Sequence, residues 1–498
     1  MQQTGSDRRN QSVAMVGLYR DHLPPGDLID FPYTRLDRLG VPAYSAALWP
    51  EEGAFCNGLG YGTSEAEAMT SAFGELFESA AAMDRLPQMP RIRGSYDELV
   101  RQYGAGGVLD PLEACLEAGT AYDHDRVLDW VEARRFPEGK AVLVPIELAV
   151  TRFADLMPEE QERERLFTPI TNGLGAGPSL EHALSHALLE LIQRDGNSVD
   201  YRALDRGIAV DAEISDPETR DLLAHLDREG VEVIVKLAST DFGMTNLYVV
   251  GYDRNPEQAP HPLALSACGE AVHPSRELAL RKSLLEYVAA RARKLFNHAP
   301  LHMIEPVTPP GYLDRFRESP LDSEEGRSLS EMLEWLSLSP IGMYDLLENH
   351  VYAIHSHVAF SELPHTELDP GDRAKVLSVV VDRLRDAGLD VLYVDYSSPN
   401  GEVSAVKAIV PGLEVETMSY GRIGPRNLRR LLDRDSDLIV TGDASGRPAA
   451  RRILLAPERE AELGPAWLDF EALERTVGNL YPLYREPGRH VAALAAER

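Results

Sequence analysis

The chain has 498 residues, of which 44% are hydrophobic and 26% are charged, an ordinary balance for a globular protein with a sizeable core. Its 50 Lys and Arg residues face 80 Asp and Glu residues, which gives a formal net charge of −30. A surface this acidic repels nucleic-acid phosphates and anionic lipids, so we expect neither as a partner.

The three cysteines are too few for a disulfide framework or a zinc ribbon. Free thiols fit a reducing compartment best, so we expect a cytoplasmic protein. The first ten residues are polar and carry no apolar core, which argues against a signal peptide. No apolar run approaches the roughly 20 residues that a membrane-spanning helix needs.

Along the chain, apolar runs with strand character alternate with helical periods, which indicates an α/β or α+β fold. Residues 301–350 break this pattern, since they are Pro-rich, then acidic, then helical, and we interpret them as an excursion from the main fold. The predicted strands are Ala141–Val150, Val231–Leu237, Leu247–Tyr252, Leu263–Cys268, Tyr352–Val358, Val391–Asp395 and Val403–Val410.

Three segments share one layout: Gly58–Ser64, Asn172–Ser179 and Cys268–Ser275. Each contains glycine and ends in a serine whose hydroxyl suits a helix N-cap. A helical period follows each serine. We therefore expect an internal repeat in which a glycine turn opens a helix.

The three predicted helices carry matching polar positions, counted from their cap serines. Eleven residues on are Glu75, Glu190 and Glu286. Seven residues on are Ser71, His186 and Lys282, and fourteen on are Glu78, Gln193 and Ala289. Offsets that differ by four and three lie on one stripe of a helix, and the opposite face of each helix is apolar.

One such helix would be an ordinary solvated surface, but three in the same register point to a shared site. Carboxylates that converge repel one another unless cations lie between them. Mg²⁺ binds carboxylate and phosphate oxygens. We therefore predict that the glutamates hold one or two Mg²⁺ ions on a polyphosphate, whose remaining charge Arg194 and Lys282 neutralise.

At these residues the sequence resembles the YcaO family. The family's first motif corresponds to Ser71, Glu75 and Glu78, and its second to Asn172-Gly173-Leu174 followed by Glu190 and Arg194. Its third corresponds to Lys282 and Glu286, with Arg291 beyond. The resemblance covers about residues 34–415, so we divide the chain into an N-terminal arm (1–33), an ATP-binding catalytic domain (34–415) and a C-terminal segment (416–498).

The resemblance implies a YcaO-type fold, with repeated strand–glycine turn–helix units around a Mg²⁺–ATP site. The implied metal ligands are Glu75, Glu78, Glu190, Gln193 and Glu286, although the family usually has glutamate at position 193. The implied nucleotide contacts are Ser71, His186, Arg194, Lys282 and Arg291. No residue is assigned a catalytic role.

The implied reaction is ATP-dependent phosphorylation of a peptide backbone amide oxygen while a nucleophile attacks the carbonyl carbon. A Cys, Ser or Thr side chain gives an azoline, an amine gives an amidine and sulfide gives a thioamide. The expected setting is maturation of a ribosomal peptide, including peptide antibiotics. We expect a precursor peptide as substrate, a homodimer, and in some settings a separate partner protein.

Two alternatives stay open at this point. Gln193 and Ala289 depart from the family pattern and would suit an inactive scaffold that only binds peptide. Phosphoryl transfer to a small molecule is the second. The last residues, Val491–Arg498, are Ala-rich and lack the Pro-x-Pro-x-Pro tail of many azoline-forming relatives, so we expect them to be frayed and dispensable for turnover.

Overall fold

The computed structural model describes residues 5–203, 206–211, 214, 216–317, 325–414 and 421–497. The acidic residues 322–324 and the domain boundary expected near residue 415 lie outside these ranges. The division into arm, catalytic domain and C-terminal segment stays a prediction. Within the described ranges the chain mixes helices with four sheets, as the α/β (α+β) prediction requires.

The strands are β1 (Gly26–Pro32), β2 (Ala43–Pro50), β3 (Cys56–Tyr61), β4 (Ile92–Ser95), β5 (Val127–Arg135), β6 (Lys140–Pro145), β7 (Leu174–Gly177), β8 (Ile208–Asp211), β9 (Val231–Ser239), β10 (Thr245–Asp253), β11 (Gly269–His273), β12 (Ser356–Ala359), β13 (Leu392–Asp395), β14 (Ser404–Ile409), β15 (Ile439–Thr441), β16 (Ala450–Arg452) and β17 (Ala466–Asp469).

The helices are α1 (Gly5–Asp21), α2 (Glu65–Arg85), α3 (Tyr96–Tyr103), α4 (Pro158–Gln161), α5 (Leu180–Ala203), α6 (Pro217–Arg228), α7 (Arg276–His298), α8 (Leu301–Ile304), α9 (Asp314–Arg317), α10 (Gly326–Leu336), α11 (Pro340–Glu348), α12 (Arg373–Asp386), α13 (Pro425–Asp433), α14 (Pro457–Leu463), α15 (Phe470–Val477) and α16 (Val491–Ala496).

Three of the sheets present an edge strand to the same region of the protein. Their strand orders are β1–β2–β3, β11–β10–β9–β8–β12 and β4–β5–β13–β14–β7, with β6 paired to β5. The edge strands β3, β7 and β11 each lead directly into a long helix, α2, α5 and α7 respectively. Each helix packs on its own strand and also on a strand of another unit: α2 on β7, α5 on β11, and α7 on β3. The three strand–helix units therefore close into a ring.

The glycine segments that we predicted as turns are mostly strands, and close packing explains their glycines. A Cβ on Gly60 in β3 would overlap the backbone of Ala68 and Ala72 in α2. Gly175 has the same relation to Ala183 in α5, and Gly269 to Ser283 in α7. Since only glycine lets a helix backbone come this close to a strand, the recurring glycine marks the strand–helix contact.

The serine caps are confirmed in two of the three units. The Glu67 N–H donates to Ser64 Oγ, and the His182 N–H donates to Ser179 Oγ. Ser275 makes no such cap. Its own N–H instead donates to His273 Nδ1 at 2.9 Å, so the third prediction is wrong.

Among the predicted strands, Leu263–Cys268 is wrong. Pro262–Ser266 forms a 3₁₀ helix, and its Leu263, Ala264 and Leu265 are fully buried. A short apolar run buried on all sides has no periodicity that separates a strand from a helical turn. The predicted Ala141–Val150 run ends as a strand at Pro145, and Tyr352–Val358 is strand only from Ser356 onward.

Described residues of segment 301–350 and of the C-terminal segment pack into the core. Tyr312 and Trp335 are buried in the same apolar cluster as Phe296 of α7. Ala492 and Ala493 of α16 are fully buried in that cluster too, so the expected frayed end is wrong. In the part of the chain that the structure describes, no helix is long and apolar enough to cross a membrane.

The strand–helix contact predicts a large effect of a single methyl group. We expect Gly60→Ala to destabilise the protein by about 3 kcal/mol, because backbone rather than a movable side chain occupies the space. Gly106→Ala is the matched control, since no heavy atom lies within 4 Å of its Cβ position. Urea unfolding measures both; equal stability of the two variants would contradict this explanation of the glycines.

Candidate functional site

The ring of α2, α5 and α7 borders a cavity of about 1000 Å³. Sequence reasoning had selected ten site residues, and nine of them line this one cavity. They come from all three helices: Ser71, Glu75, Glu78, His186, Glu190, Gln193, Arg194, Lys282 and Glu286. The structure thus brings together side chains that lie more than 200 residues apart in the sequence.

Backbone N–H groups fix the glutamates at equivalent points of the three units. Glu75 accepts from the Leu59 N–H at 2.9 Å, Glu190 from the Gly173 N–H at 2.9 Å, and Glu286 from the Glu270 N–H at 3.1 Å. In each case the donor lies in or beside the strand on which the helix packs. One carboxylate oxygen is thereby oriented on each helix.

Glu78 links two units of the ring. It lies on α2 but accepts from the Ala176 N–H of β7 at 3.0 Å, so the first helix is tied to the second strand. This contact places Glu78 among the carboxylates of both units. The convergence of Glu75, Glu78 and Glu190 is therefore fixed by hydrogen bonds as well as by packing.

Crowding and burial disfavour the charged form of these carboxylates. Burial raises the pKa of Glu75, with Glu190 adding repulsion. Burial raises the pKa of Glu78 well above its usual range, and the charges of Glu190 and Glu75 raise it further. Burial raises the pKa of Glu286 to about 7 against the pull of Arg293. A cation between these groups would relieve the repulsion.

The donor set fits Mg²⁺ bound together with phosphates. Hard carboxylate oxygens are present on three helices, and each helix keeps one oxygen oriented by the backbone. No group of three or more His, Cys, Asp or Glu side chains among the described residues is gathered tightly enough to hold a metal by itself. Mg²⁺ in nucleotide sites commonly takes one or two carboxylates, with phosphate oxygens and waters completing its shell.

Gln193 and Arg194 share a carboxylate that sequence reasoning missed. Glu270 Oε2 accepts from Gln193 Nε2 at 3.0 Å and from Arg194 at 2.9 Å. Glu270 is only 8% exposed. Gln193 therefore orients an acid inside the site, and its own role as a metal ligand stays a prediction. Glu270 lies in the third glycine segment. Had this segment been predicted as a strand, the alternation of side chains along it would have placed Glu270 on the side that faces the helices.

Arg291 is placed outside the cavity, which corrects its assignment as a nucleotide contact. Its fully buried guanidinium donates to Asp37 at 2.7 Å and to Asp253 at 3.0 Å. Arg38 also pairs with Asp253. This buried network joins α7 to the end of β10 and to the chain before β2, so Arg291 stabilises the fold. Only the family resemblance implied Arg291; five residues after Glu286, it lies on a different face of α7 from the polar stripe.

Other residues of the cavity were also missed. Arg293 follows Glu286 by seven residues on the same stripe of α7, which was a usable signal, and it lies 4.0 Å from the Glu286 carboxylate. Arg373 at the start of α12 and Arg489 near the C-terminus line the cavity from outside the repeats. Their positions depend on long-range packing, for which the sequence gives no local sign.

The C-terminal residues form part of the cavity wall. Gly488, Arg489 and Val491 line it, and Arg489 donates to the Tyr312 hydroxyl at 3.2 Å and lies over the Phe296 ring. The buried residues of α16 follow directly. This segment contains no Pro-x-Pro-x-Pro motif, yet it reaches the site by a different sequence.

A smaller cavity of about 190 Å³ adjoins the first. The two share Arg194, Glu270, Glu286 and Arg293 as a common wall. The rest of the smaller cavity is lined by six apolar or aromatic side chains, Tyr248, Val250, Val351, Leu480, Leu483 and Tyr484, and by Ser266, Cys268, Lys294, His350 and Glu486. A polar cavity and a partly apolar one therefore meet at the same four charged side chains.

Comparison with known families decides the identity of this arrangement. Residues 59–414, well over half of the chain, match the family described as YcaO cyclodehydratase, ATP- and Mg²⁺-binding. The chain belongs to the YcaO family. A relative from Methanothermobacter thermautotrophicus, an uncharacterized protein, is 28% identical over 399 residues, which cover 79% of this chain and 91% of the relative.

Solved structures support the same fold. The YcaO protein from Methanopyrus kandleri, bound with AMPPCP and Mg²⁺, is similar with a TM-score of 0.56 at 20% identity, over 85% of this chain and 94% of that one. A heterocyclase in complex with substrate and cofactor gives a TM-score of 0.58 at 17% identity over 81% of this chain. The match spans 52% of that heterocyclase, about half its length.

These findings confirm the predicted family, its fold class and its cofactors. The YcaO family binds ATP and Mg²⁺, and a YcaO structure has been solved with both an ATP analogue and the metal. The individual ligand and nucleotide contacts of this chain stay predictions, as does the homodimer.

The raised pKa of Glu286 predicts that metal–nucleotide binding weakens in acid. Since a ligand carboxylate must be ionised, protonation below about pH 7 competes with Mg²⁺. We expect affinity for Mg²⁺–AMPPCP to fall by up to roughly tenfold per pH unit below that value, as measured by calorimetry. Protonation of the nucleotide's own phosphates accounts for part of any such dependence of affinity on pH.

Glu286→Gln isolates the contribution of the protein, because it should remove one proton from the pH dependence. An unchanged slope in this variant would contradict the assignment.

The folding stability of the nucleotide-free protein should depend on pH in the opposite direction, with greater stability in acid. The pKa of Glu286 is about 7 in the folded state against an ordinary 4.5, so the folded state holds the extra proton and stability declines as pH rises through 7.

The buried C-terminus predicts that truncation is harmful, contrary to the expectation from sequence. Removing residues 491–498 deletes four buried side chains from the core: Val491, Ala492, Ala493 and Leu494. We expect a loss of about 4 kcal/mol of stability, from two large and two small apolar side chains. Removal from residue 496 onward is the control, because Ala496 and Glu497 are exposed. Equal melting temperatures of the two truncations would contradict this.

Proposed function

We propose that this YcaO protein is an ATP-dependent enzyme that phosphorylates a peptide backbone amide oxygen during cyclodehydration, forming an azoline or a macrocyclic amidine in a ribosomal peptide. The observation that carries the proposal is the closed ring of three strand–helix units, which directs oriented carboxylates and cationic side chains into one cavity. An inactive scaffold would have no need to retain this costly concentration of buried charge.

We assign the residues by their position in the ring. Glu75, Glu78, Glu190 and Glu286 would hold Mg²⁺, with Gln193 either a neutral ligand or the group that orients Glu270. Ser71, His186, Arg194 and Lys282 would contact the nucleotide. Bound Mg²⁺ would supply charge neutralisation of the polyphosphate.

This reaction requires the protein to orient the peptide and ATP relative to each other and to exclude water. A nucleophile adds to the amide carbon, and the amide oxygen then bonds to the γ-phosphorus while ADP leaves with the electron pair of the broken P–O bond. Phosphate leaves next with the electron pair of the C–O bond. Loss of the nitrogen proton completes the C=N bond. Arginine and lysine side chains that line the cavity suit the negative charge that develops on the oxygens.

The smaller cavity is our candidate for the peptide side of the reaction. It touches the polar cavity at Glu286 and Arg293, and Tyr248 and Tyr484 make its walls partly aromatic. A peptide segment there would bring its amide next to the phosphates. A solved heterocyclase of this fold binds its substrate together with a cofactor, which supports a joint site.

Product mass distinguishes the possible reactions. The test incubates the protein with Mg²⁺–ATP and short peptides that contain Cys, Ser and Thr, and it follows phosphate release and peptide mass. Loss of one water supports azoline or amidine formation. Exchange of oxygen for sulfur, in the presence of sulfide or a sulfur-delivering partner, would identify a thioamide-forming enzyme instead. ATP binding without turnover of any peptide would identify a scaffold.

Glu190→Gln tests the carboxylate ring within this assay. The variant keeps the size of the side chain but removes the charge between the first and third units. We expect turnover to fall by at least about a hundredfold while the circular dichroism spectrum stays unchanged. Glu181→Gln on the exposed face of the same helix is the matched control. Wild-type turnover in the Glu190 variant would remove Glu190 from the metal site.

A further inference from the structure

Arg293 on α7 lies where the large cavity and the smaller cavity meet. It is one of the four charged side chains that both cavities share. The carboxylate of Glu75 acts on it from the large cavity, and that of Glu486 acts on it from the smaller one. Since the proposed reaction joins a phosphorus atom in one cavity to an amide oxygen in the other, a side chain at this junction borders the place where the bond forms.

Arg293 is the shared side chain whose hydrogen-bond donors are not already used. Arg194 is engaged, because it donates to Glu270 at 2.9 Å and lies 3.7 Å from Glu190. The shared carboxylates of Glu270 and Glu286 donate no hydrogen bond when they are ionised. Arg293 donates no hydrogen bond to any residue that the structure describes, and its 4.0 Å separation from the Glu286 carboxylate is too long for one.

The surroundings of Arg293 keep its guanidinium charged and accessible. Burial opposes the charged form, but the carboxylates of Glu286, Glu486 and Glu75 outweigh burial and raise the pKa of Arg293 above its ordinary value. These carboxylates act at a distance, so they stabilise the positive charge without occupying its N–H groups. Because 40% of the side chain is exposed, an oxygen atom that enters either cavity can approach it.

We propose that Arg293 is a catalytic residue, whose guanidinium donates hydrogen bonds to the oxygen of the peptide amide under attack. The electron pair of the nucleophile forms a bond to the amide carbon, the π pair of the C=O bond moves to the oxygen, and the proton of the nucleophile passes to water. A cationic donor at the new alkoxide stabilises it until that oxygen bonds to the γ-phosphorus and ADP leaves. The inference rests on the proposed function and assigns the group that faces the developing negative charge.

Arg293→Ala separates the rate of reaction from the binding of nucleotide. We expect kcat for phosphate release, with the short Cys-, Ser- and Thr-containing peptides as substrates, to fall by about a hundredfold or more. Affinity for Mg²⁺–AMPPCP, measured by calorimetry, should stay within about threefold of wild type, because the donor acts on charge that develops only during the reaction. Arg254→Gln is the control, since it removes the same charge from an exposed position that lines neither cavity.

Free guanidinium distinguishes a catalytic role from a structural one. Added at a concentration too low to unfold the protein, guanidinium chloride should raise the rate of Arg293→Ala by at least about tenfold, because the small cation offers the same donors. Sodium chloride at equal ionic strength should not raise it. Arg293→Lys keeps a charged donor and should lose less activity than Arg293→Ala. It also serves as the second variant if circular dichroism shows that Arg293→Ala does not fold.

Three results would overturn the proposal. A raised KM for peptide with unchanged kcat would assign Arg293 to peptide binding alone. A loss of AMPPCP affinity as large as the loss of rate would assign it to the nucleotide. A loss of rate that guanidinium does not restore would make it structural. Failure of the proposed function would appear in the wild-type protein instead, as AMPPCP binding without turnover of any peptide, and it would overturn this inference too.

Discussion

The structure depends on the approach of three helix backbones to three edge strands. Gly60, Gly175 and Gly269 permit this approach because a Cβ at any of them would overlap the helix. Each helix then reaches the strand of another unit, and the ring closes. Closure has an electrostatic consequence: glutamates anchored to the strands by backbone N–H groups must point into one cavity, where their repulsion favours a bound cation.

Charged side chains of both signs line that cavity. Arg194 pairs with Glu270 and Arg293 lies beside Glu286, and His182, His186, Lys282 and Arg373 line the same wall. The C-terminal segment adds Arg489 and seals the wall with buried residues of α16. The site therefore draws on nearly the whole length of the chain.

The sequence predicts those parts of the site whose signals are local, and it misses those that depend on long-range packing. Helical offsets found Glu75, Glu190 and Glu286, because periodicity and register repeat within each unit. Arg291 was implied by the family resemblance instead, and a motif match does not show which way a helical side chain points: this one pairs with Asp37 in the core. Arg373 and Arg489 could not be found, because distant segments bring them to the site. The buried end of the chain was missed for the same reason: an Ala-rich tail gives no sign of where it packs.

The central claim is that the carboxylates of three helices meet at one metal–nucleotide site. Its most direct test is a crystal structure of the protein with AMPPCP and Mn²⁺ in place of Mg²⁺, in which anomalous scattering locates the metal. The account predicts metal peaks among Glu75, Glu78, Glu190 and Glu286, with the nucleotide in the same cavity. Metal and nucleotide bound outside the ring of α2, α5 and α7 would contradict it.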